Sequence, residues 1–282
     1  MSPALSSDLV GLKGDPVPYS WDSKDVMLYN FGIGARPYDD LDFLFEGKGP
    51  KAIPTFAVIG GMAGMGVMGQ IEGINPMLIL HGSESITLHR ELPPDAKVTL
   101  EGEITEIWDK GQAAVIGIET TAKDDKGPLF TAKASIFARG AGGFGGERGP
   151  SAKGFNEPPE REPDHVISDE TRFEQAAIYR LSGDRNPLHI DPEFAKVGGF
   201  DTPILHGLCT YGFVGRAILK AVCGNDPANF KSFDARFADV VYPGDTITTK
   251  LWVDGPEGKS AIVQAETQRG NVVIANAKAT FA

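Results

Sequence analysis

The sequence predicts an α+β protein built from two similar units, and three observations lead to this prediction. Residues 85–138 and 231–281 consist of short runs of alternating apolar and polar residues separated by turn sequences, which is typical of antiparallel strands. Residues 207–222 carry apolar side chains at helical spacing, which predicts one long buried helix. Residues 140–163 are rich in glycine and proline and lack an apolar period, so we expect them to connect the two units.

The first unit, residues 1–139, is expected to begin with helical segments. Residues 23–33 should form a short helix that is capped by Asp22 or Ser23 and ends near the glycines that follow. Residues 55–59 are apolar enough for a buried strand or the start of a helix. Residues 60–73 contain methionines near helical spacing. Core packing explains them better than a cofactor site, and the glycines between them weaken any helix.

The rest of the first unit alternates in the manner of an antiparallel sheet. The predicted strands are residues 85–92, 98–108, 113–121 and 129–138. The sequences between them, such as Asp109-Lys110-Gly111, are typical of tight turns. Parallel strands need long crossover connections, usually helices, so these short connections predict antiparallel pairing. Acidic pairs such as Asp39-Asp40 are expected in solvated loops.

The second unit, residues 164–282, repeats this plan with a stronger helix. Residues 169–181 are expected to form a capped amphipathic helix, and residues 192–197 a further turn, before the long helix at residues 207–222. The buried face of the amphipathic helix would consist of Phe173, Ala177, Ile178 and Leu181. Strands are predicted at residues 231–240, 246–253, 261–267 and 272–281. A helix wrapped by an antiparallel sheet is the hot-dog architecture, so the two units predict a double hot-dog fold.

Internal correspondences support two units and indicate a difference between them. Tyr29 and Tyr179 are 150 residues apart. The Leu-His-Gly tripeptides at residues 80–82 and 205–207 are only 125 residues apart. Either the first unit has lost most of its long helix or the tripeptides are not equivalent. Both alternatives leave the first unit with a degraded central helix.

Composition argues against several classes of partner. The chain has 282 residues and a formal net charge of -11, which argues against a nucleic-acid partner because phosphate backbones require a basic surface. No stretch approaches the roughly 18 uncharged apolar residues of a membrane span, so no membrane partner is expected. No secretory or peroxisomal address is evident. A cytoplasmic location is therefore expected, or a peroxisomal one if the source is eukaryotic.

The cysteines and histidines predict neither a disulfide nor a metal site. Cys209 and Cys223 fall in one predicted helix, where they would lie about 21 Å apart, too far for a disulfide. Reduced thiols fit a cytosolic setting. The five histidines are dispersed. Because the cysteines also lack CxxC pairing, we expect no metal and no cofactor.

The strongest chemical signal is the stretch YRLSGDRNPLHIDPEFA at residues 179–195. Gly183 permits unusual backbone angles, and the proline after Asn186 pushes Asn186 toward extended geometry, so the chain should turn between Asp184 and His189. A carboxylate and an imidazole aimed at one point can transfer protons to and from a reacting carbon and a water. The residue types alone also fit an ordinary capped turn with a structural histidine.

The full string is more specific than its residue types. Its fixed positions are Tyr179, Leu181-Ser182-Gly183-Asp184, Asn186-Pro187-Leu188-His189 and Ala195. This string resembles the hydratase 2 signature of MaoC-like enoyl-CoA hydratases and dehydratases. The first half resembles the hydratase part of the peroxisomal multifunctional enzyme type 2 at residues 29–34, 55–56, 80–82, 109–111 and 137–146. The resemblance covers nearly the whole chain and implies a double hot-dog fold, an acyl-CoA thioester substrate, a homodimer and no cofactor.

The resemblance also implies a set of site residues. It assigns catalysis to Asp184 and His189. It assigns acyl-CoA contacts to His81, Gly82, Lys110, Asn186, Gly207 and Phe237. Taken without the resemblance, Gly207 could be only a helix start, His81 a packed histidine and Lys110 a turn residue.

The implied reaction is the syn hydration of a trans-2-enoyl thioester to an (R)-3-hydroxyacyl thioester. Asp184 and His189 would divide the two proton transfers, and either could be the base because the pair titrates as a coupled unit. The N–H of Gly207, at the head of the long helix, would form an oxyanion hole supported by the helix dipole. Asn186 would hold the water or orient His189, and we interpret His206 as structural.

Other functions stay open from the sequence. A dehydratase acting on acyl-carrier-protein or steroid side-chain CoA thioesters would use the same groups. A non-catalytic acyl-CoA-binding module would keep the pocket but would have no need of Asp184, Asn186 and His189 together. A thioesterase is less favoured, because hot-dog thioesterases usually place their carboxylate on the central helix, which Asp184 precedes. In each case the degraded first helix is expected to leave room beside its sheet for a bulky acyl chain.

Overall fold

Antiparallel strands form one continuous sheet in the computed structural model, which describes residues 4–75, 78–151, 153–254 and 258–282. Ten strands lie within these ranges, and every neighbouring pair is antiparallel. They are β1 (Val17–Trp21), β2 (Ile79–Leu88), β3 (Ala96–Asp109), β4 (Ala113–Asp124), β5 (Gly127–Arg139), β6 (His165–Glu170), β7 (Phe230–Phe237), β8 (Thr246–Val253), β9 (Ser260–Thr267) and β10 (Val272–Phe281). Their order across the sheet is β1-β3-β4-β5-β2-β7-β10-β9-β8-β6.

The sheet consists of two halves with the same strand order. The order β1-β3-β4-β5-β2 in the first half corresponds to β6-β8-β9-β10-β7 in the second. The halves meet where β2 pairs with β7, from Ser83 opposite Arg236 to Thr87 opposite Ser232. The predicted repeat is therefore present, and its two copies join edge to edge.

The helices in the described residues are α1 (Ser23–Gly32), α2 (Leu41–Leu44), α3 (Ala57–Gly64), α4 (Gln175–Tyr179), α5 (Pro192–Val197) and α6 (Gly207–Val222). Two of them, α3 and α6, pack against the sheet, and the others pack mainly against helical segments. The side chain of Asp22 caps α1 as predicted, by accepting N–H groups of its first turn. Helix α6 has its predicted bounds, and its residues 208–219 are all buried. Gly212 permits this burial, because a Cβ there would lie 2.3 Å from the side chain of Ile33.

Helix α3 is the counterpart of α6 in the first half. Its first residue, Ala57, precedes Gly207 by 150 positions, the offset that also relates Tyr29 to Tyr179. It has only eight residues and continues as a 3-10 helix at Met65–Gln70, because its glycines are poor helix formers. The prediction of a degraded first helix is confirmed. The two Leu-His-Gly tripeptides are not equivalent, since the first lies in β2.

The shortened helix does not by itself leave an open space beside the sheet. The gap between α3 and the strands does not admit a water-sized sphere. It is lined by Gly61, Met62, Met65, Glu84, Ile118, Thr120, Ala132 and Ala134. The room expected for an acyl chain is therefore closed in this structure. Met62 and Met65 are the flexible side chains in this lining.

The sequence does not predict the two edge strands, β1 and β6. Residues 165–170 pair with β8 and do not begin a helix. Helix α4 has five residues, and two members of the predicted buried face, Phe173 and Leu181, are 87% and 52% exposed. The predicted helix over residues 169–181 is therefore too long at its start: Asp169 and Glu170 pair with β8, and helix is found only from Gln175, continuing as a 3-10 helix over Arg180–Ser182.

A buried ion-pair cluster contradicts the solvated loop predicted at Asp40. The Asp40 side chain is 2% exposed and lies 3.5 Å from Nη1 of Arg216 and 3.1 Å from Nζ of Lys220, both on α6. Nη2 of Arg216 lies 2.6 Å from Oδ1 of Asp169 in β6. The cluster joins the loop before α2 in the first half to α6 and β6 in the second.

No helix in the part of the chain that the structure describes has both the length and the apolar character needed to cross a membrane. Cys209 and Cys223 are unpaired and buried. The Cys209 thiol lies 3.4 Å from the carbonyl oxygen of Gly32, so it is part of the packing between α6 and α1.

Candidate active site

The loop between α4 and α5 holds the two predicted catalytic residues. Gly183 has a φ of 145°, which L side chains rarely adopt, so glycine allows the chain to turn directly before Asp184. Asn186 caps the 3-10 helix Pro187–His189, because its Oδ1 accepts the N–H of Leu188 at 3.0 Å. The N–H of Asn186 is donated to Oδ1 of Asp184 at 3.1 Å. Asn186 is exposed, and its observed role is to order this turn.

His189 is held in the tautomer that suits a base. Its ring is 8% exposed, and Nδ1 lies 2.9 Å from the carbonyl oxygen of Ile204. Because a carbonyl oxygen only accepts, Nδ1 carries the hydrogen and Nε2 keeps a free lone pair. Burial lowers the pKa of His189, and the bond to Ile204 and the charge of Asp184 oppose this shift. At neutral pH the ring is neutral and Nε2 can accept a proton.

His206, which we interpret from the sequence as structural, lies directly against His189. The two ring centroids are 3.8 Å apart with an interplanar angle of 29°. Nε2 of His206 donates to the carbonyl oxygen of Asp184 at 3.1 Å, and Nδ1 is buried without a partner among the described residues. Burial, with a further contribution from His189, lowers the pKa of His206 to about 2. This ring is therefore a neutral support for both predicted catalytic residues.

Asp184, His189 and His206 converge although they are dispersed in sequence. One nitrogen or oxygen atom of each lies within 4.8 Å of the others. Three such groups could bind a metal ion, but the lone pairs of two stacked rings lie in nearly parallel planes and do not point at a common ion. Nδ1 of His189 and Nε2 of His206 are engaged by carbonyl groups, which leaves one nitrogen of each ring free. The half-buried Asp184 beside a neutral imidazole fits proton transfer better.

Gly207 begins α6 directly after His206. As the first helical residue, its N–H has no acceptor within the helix. The ring of Phe237, at the end of β7, covers this position, because a Cβ on Gly207 would lie 3.3 Å from it. The His81 ring contacts Phe237 edge to face with centroids 5.0 Å apart. The structure thus brings Gly207, Phe237 and His81 together.

Gly82 shapes the strand that carries His81. It is the extra residue of a bulge where β2 pairs with β5, since His81 lies opposite Ile136 and Ser83 lies opposite Ser135. A buried carboxylate that the sequence does not single out, Glu84, lies 2.9 Å from Nε2 of His81. Finding this contact from the sequence would require knowing where the bulge is.

Lys110 is not in contact with this group. It lies in the turn between β3 and β4, and its Nζ donates to the carbonyl oxygen of Arg148. Along the sheet, β3 is three strands from β2, which is about 14 Å. Lys110 and His81 lie at the same end of their strands, because Ile79 and Ala113 both approach the last residues of β5.

The ring of Tyr179 packs against the ring of His206. Their ring centroids are 5.0 Å apart, and the ring of Tyr29 lies 6.0 Å from that of Tyr179. Burial raises the pKa of Tyr179 well above its ordinary value, so the hydroxyl stays protonated. The two tyrosines related by the internal repeat thus meet beneath the site.

Two family profiles match the chain. The MFE-2 hydratase 2 N-terminal domain matches residues 19–140, and the MaoC like domain matches residues 154–277. The chain belongs to the MaoC-like hydratase 2 family. In this MaoC-like chain, the loop with Asp184 and His189 falls within the second profile, and His81 within the first.

Full-length relatives support the same family. The MaoC-like chain is 41% identical to the probable enoyl-CoA hydratase 2 of Dictyostelium discoideum, over 95% of this chain and 93% of the relative. It is 43% identical to the enoyl-CoA hydratase ChsH3 of Mycobacterium tuberculosis, over 94% of each. The crystal structure of a MaoC-like dehydratase from Phytophthora capsici matches with a TM-score of 0.87 at 32% identity, covering 99% of this chain and 98% of that one.

The fold itself is also found in a distant protein. A Mycobacterium tuberculosis protein described as having a double hotdog fold matches with a TM-score of 0.59 at 12% identity, covering 99% of this chain and 97% of that one. At this identity the likeness concerns the fold alone. The predicted double hot-dog fold is confirmed.

Proposed function

We propose that this MaoC-like chain reversibly hydrates trans-2-enoyl-CoA to (R)-3-hydroxyacyl-CoA without a cofactor. The observation that carries the proposal is the tautomer of His189. Its Nδ1–H is held by the carbonyl of Ile204, and this leaves the Nε2 lone pair free in a group that contains Asp184. The relatives named enoyl-CoA hydratases support the substrate class.

In the proposed reaction His189 carries the proton, and Asp184 holds the water and stabilises the charged ring. A water held by both groups attacks C3 of the enoyl thioester, and Nε2 of His189 takes its proton as the thioester becomes an enolate. The imidazolium then returns this proton to C2 on the same face, which gives syn addition. The Asp184 carboxylate accepts a hydrogen bond from the second hydrogen of the water, which stays on the oxygen as the product hydroxyl, and stabilises the imidazolium. Water supplies both the hydroxyl and the hydrogen that are added, so the reaction needs no other reactant.

Gly207 would stabilise the enolate. Its N–H has no acceptor within α6, and the 16-residue helix behind it adds the positive end of its dipole. A donor aimed at the thioester oxygen lowers the barrier because negative charge develops there only during the reaction.

The remaining predicted residues would bind the rest of the acyl-CoA. The contact between His81 and Phe237 beside Gly207 supports a role for them, with Gly82, around the thioester. Lys110 would reach the nucleotide phosphates, for which an ammonium group is a good partner. In this proposal the first unit, residues 1–139, supplies the acyl and CoA pocket, and residues 164–282 supply the catalytic loop.

The assembly and location follow the family expectation. A homodimer is part of the proposal through the resemblance to the family. The unpaired, buried cysteines support a reducing compartment such as the cytoplasm.

Product analysis tests the proposal. The purified protein is incubated with short-chain and long-chain trans-2-enoyl-CoA, and the hydroxyacyl product is resolved on a chiral column. The (R)-3-hydroxyacyl thioester is expected. Acyl-carrier-protein and steroid side-chain CoA thioesters in the same assay decide between the hydratase and the related dehydratases. Saturable acyl-CoA binding without turnover of any thioester would show that the protein is a non-catalytic binding module.

A further inference from the structure

A buried carboxylate in β2 has no part in the proton transfers described above. Glu84 is 4% exposed, and its neighbours across the sheet are Ala134 of β5 and Ala235 of β7. A Cβ on Gly61 of α3 would lie 3.9 Å from its Oε1. These three small residues leave space for the carboxyl group but offer it no polar side chain. Burying an uncompensated carboxylate is costly, so its compensation must come from elsewhere.

His81 supplies that compensation because of the bulge at Gly82. In a regular strand, residues three positions apart point to opposite faces. The extra residue reverses the alternation, so His81 and Glu84 share a face, with Nε2 2.9 Å from Oε2. Nε2 forms no well-aligned hydrogen bond with any described residue, so this contact is a close approach of the ring N–H to the carboxylate. Burial raises the pKa of Glu84, and His81 opposes that shift.

The His81 ring reaches the proposed thioester site only through Phe237. Its contact with Phe237 is edge to face, and Phe237 in turn covers Gly207. The His81 side chain is 23% exposed, whereas that of Glu84 is almost fully covered. One end of the ring is thus fixed by the carboxylate, and the other remains open to a ligand.

We propose that Glu84 is a positioning residue that holds His81, through Nε2–H, in the orientation that binds the acyl-CoA thioester. This inference rests on the proposed function and extends it to a residue of the first unit. The held tautomer leaves Nδ1 of His81 as an acceptor for an amide N–H of the CoA arm. His81 is separated from Gly207 by the ring of Phe237, so Glu84 contributes to substrate binding and not to the chemical step.

Steady-state kinetics of Glu84→Gln test the inference. The variant keeps the shape of the side chain and removes the charge. We expect KM to rise about tenfold, the effect of one weakened hydrogen bond to a charged group, with kcat changed less than about twofold. In a His81→Ala background, Glu84→Gln should raise KM no further, because the two residues act through one contact.

Asp234→Asn is the matched control. Asp234 lies on the neighbouring strand β7 and bonds Ser85, whose side chain points to the opposite face of the sheet from Glu84. Its KM should equal that of the unaltered protein. An unchanged KM in Glu84→Gln, or additive effects with His81→Ala, would overturn the inference.

Imidazole NMR of the unaltered protein gives a second test that does not depend on folding of a variant. A hydrogen on Nε2 of His81 is expected, and a ring protonated only at Nδ1 would contradict the inference. Failure of the proposed function would look different, because the unaltered protein would then hydrate no enoyl thioester. In that case the dissociation constant of a saturated acyl-CoA replaces KM as the readout.

Discussion

The imidazole rings of His189 and His206 stack with their centroids 3.8 Å apart. One ring belongs to the loop before α5 and the other to the residue that precedes α6, so the stack joins the catalytic turn to the start of the long helix. Burial disfavours a positive charge on both rings, and His189 further disfavours a charge on His206. The pair is therefore neutral at pH 7, and the free lone pair of His189 is available without prior loss of a proton.

The pH dependence of hydration should reflect this neutral pair. The pKa of His189 is lowered from 6.5, so more than half of His189 is neutral at pH 6.5, and the neutral fraction rises further at higher pH. We expect kcat/KM to be near its plateau at pH 8 and to decline with a midpoint below 6.5. A profile of initial rates in buffers of constant ionic strength measures this. A midpoint above 6.5 would contradict the neutral-base assignment.

Asp184→Asn should abolish hydration without unfolding the protein. The amide retains the size of the side chain but cannot stabilise the imidazolium, so kcat should fall by about 100-fold or more. The melting temperature should be nearly unchanged, because the side-chain oxygen can still accept the N–H of Asn186. Asp191→Asn is the control: it caps α5 in the same loop, and asparagine caps equally well. Full activity of Asp184→Asn would remove this carboxylate from the mechanism.

A pair of substitutions at Gly207 isolates the proposed oxyanion donor. Proline is tolerated at the first position of a helix and lacks an N–H, and the preceding His206 already has an extended ψ of 134°. Gly207→Ala adds a Cβ against Phe237, as proline does, but keeps the N–H. We expect kcat of Gly207→Pro to be about 100- to 1000-fold below that of Gly207→Ala. Equal rates for the two variants would show that this amide does not stabilise the enolate.

The buried cluster around Arg216 should dominate the electrostatic contribution to stability. Arg216→Met leaves two carboxylates, Asp40 and Asp169, without their shared partner, and breaking a buried pair in this way costs about 3–5 kcal/mol. Urea unfolding of the variant and the unaltered protein measures the difference. Lys196→Met removes an exposed pair with Glu193 and should cost less than about 1 kcal/mol. A similar small loss for Arg216→Met would mean that the cluster contributes little.

The long helix and the second-half strands could be predicted because their signals are local. The apolar spacing in residues 207–222 and the alternation in residues 246–253 coincide with the bounds of α6 and β8. The stretch at residues 165–181 could not be predicted in the same way. Six residues pair there with β8, which lies 80 positions further on, and this distant partner overrides the helical pattern.

Only the part of the site whose residues are close together in sequence could be predicted. The turn that carries Asp184 and His189 follows from Gly183 and the proline beside Asn186. The stacking of His206 on His189 depends on tertiary packing, although its place directly before Gly207 is a signal that could have drawn attention to it. Counting alternation along β2 would put Glu84 and His81 on opposite faces.

The join between β2 and β7 has a consequence for how such a chain can arise. Either half made alone would present an unpaired strand edge, which invites association with another copy of itself. Two separate copies could pair their edge strands and so satisfy the backbone N–H and C=O groups there. Fusing them in one polypeptide keeps the two strand edges paired. One half can then lose its catalytic groups and adapt to binding a substrate, while the other half keeps them.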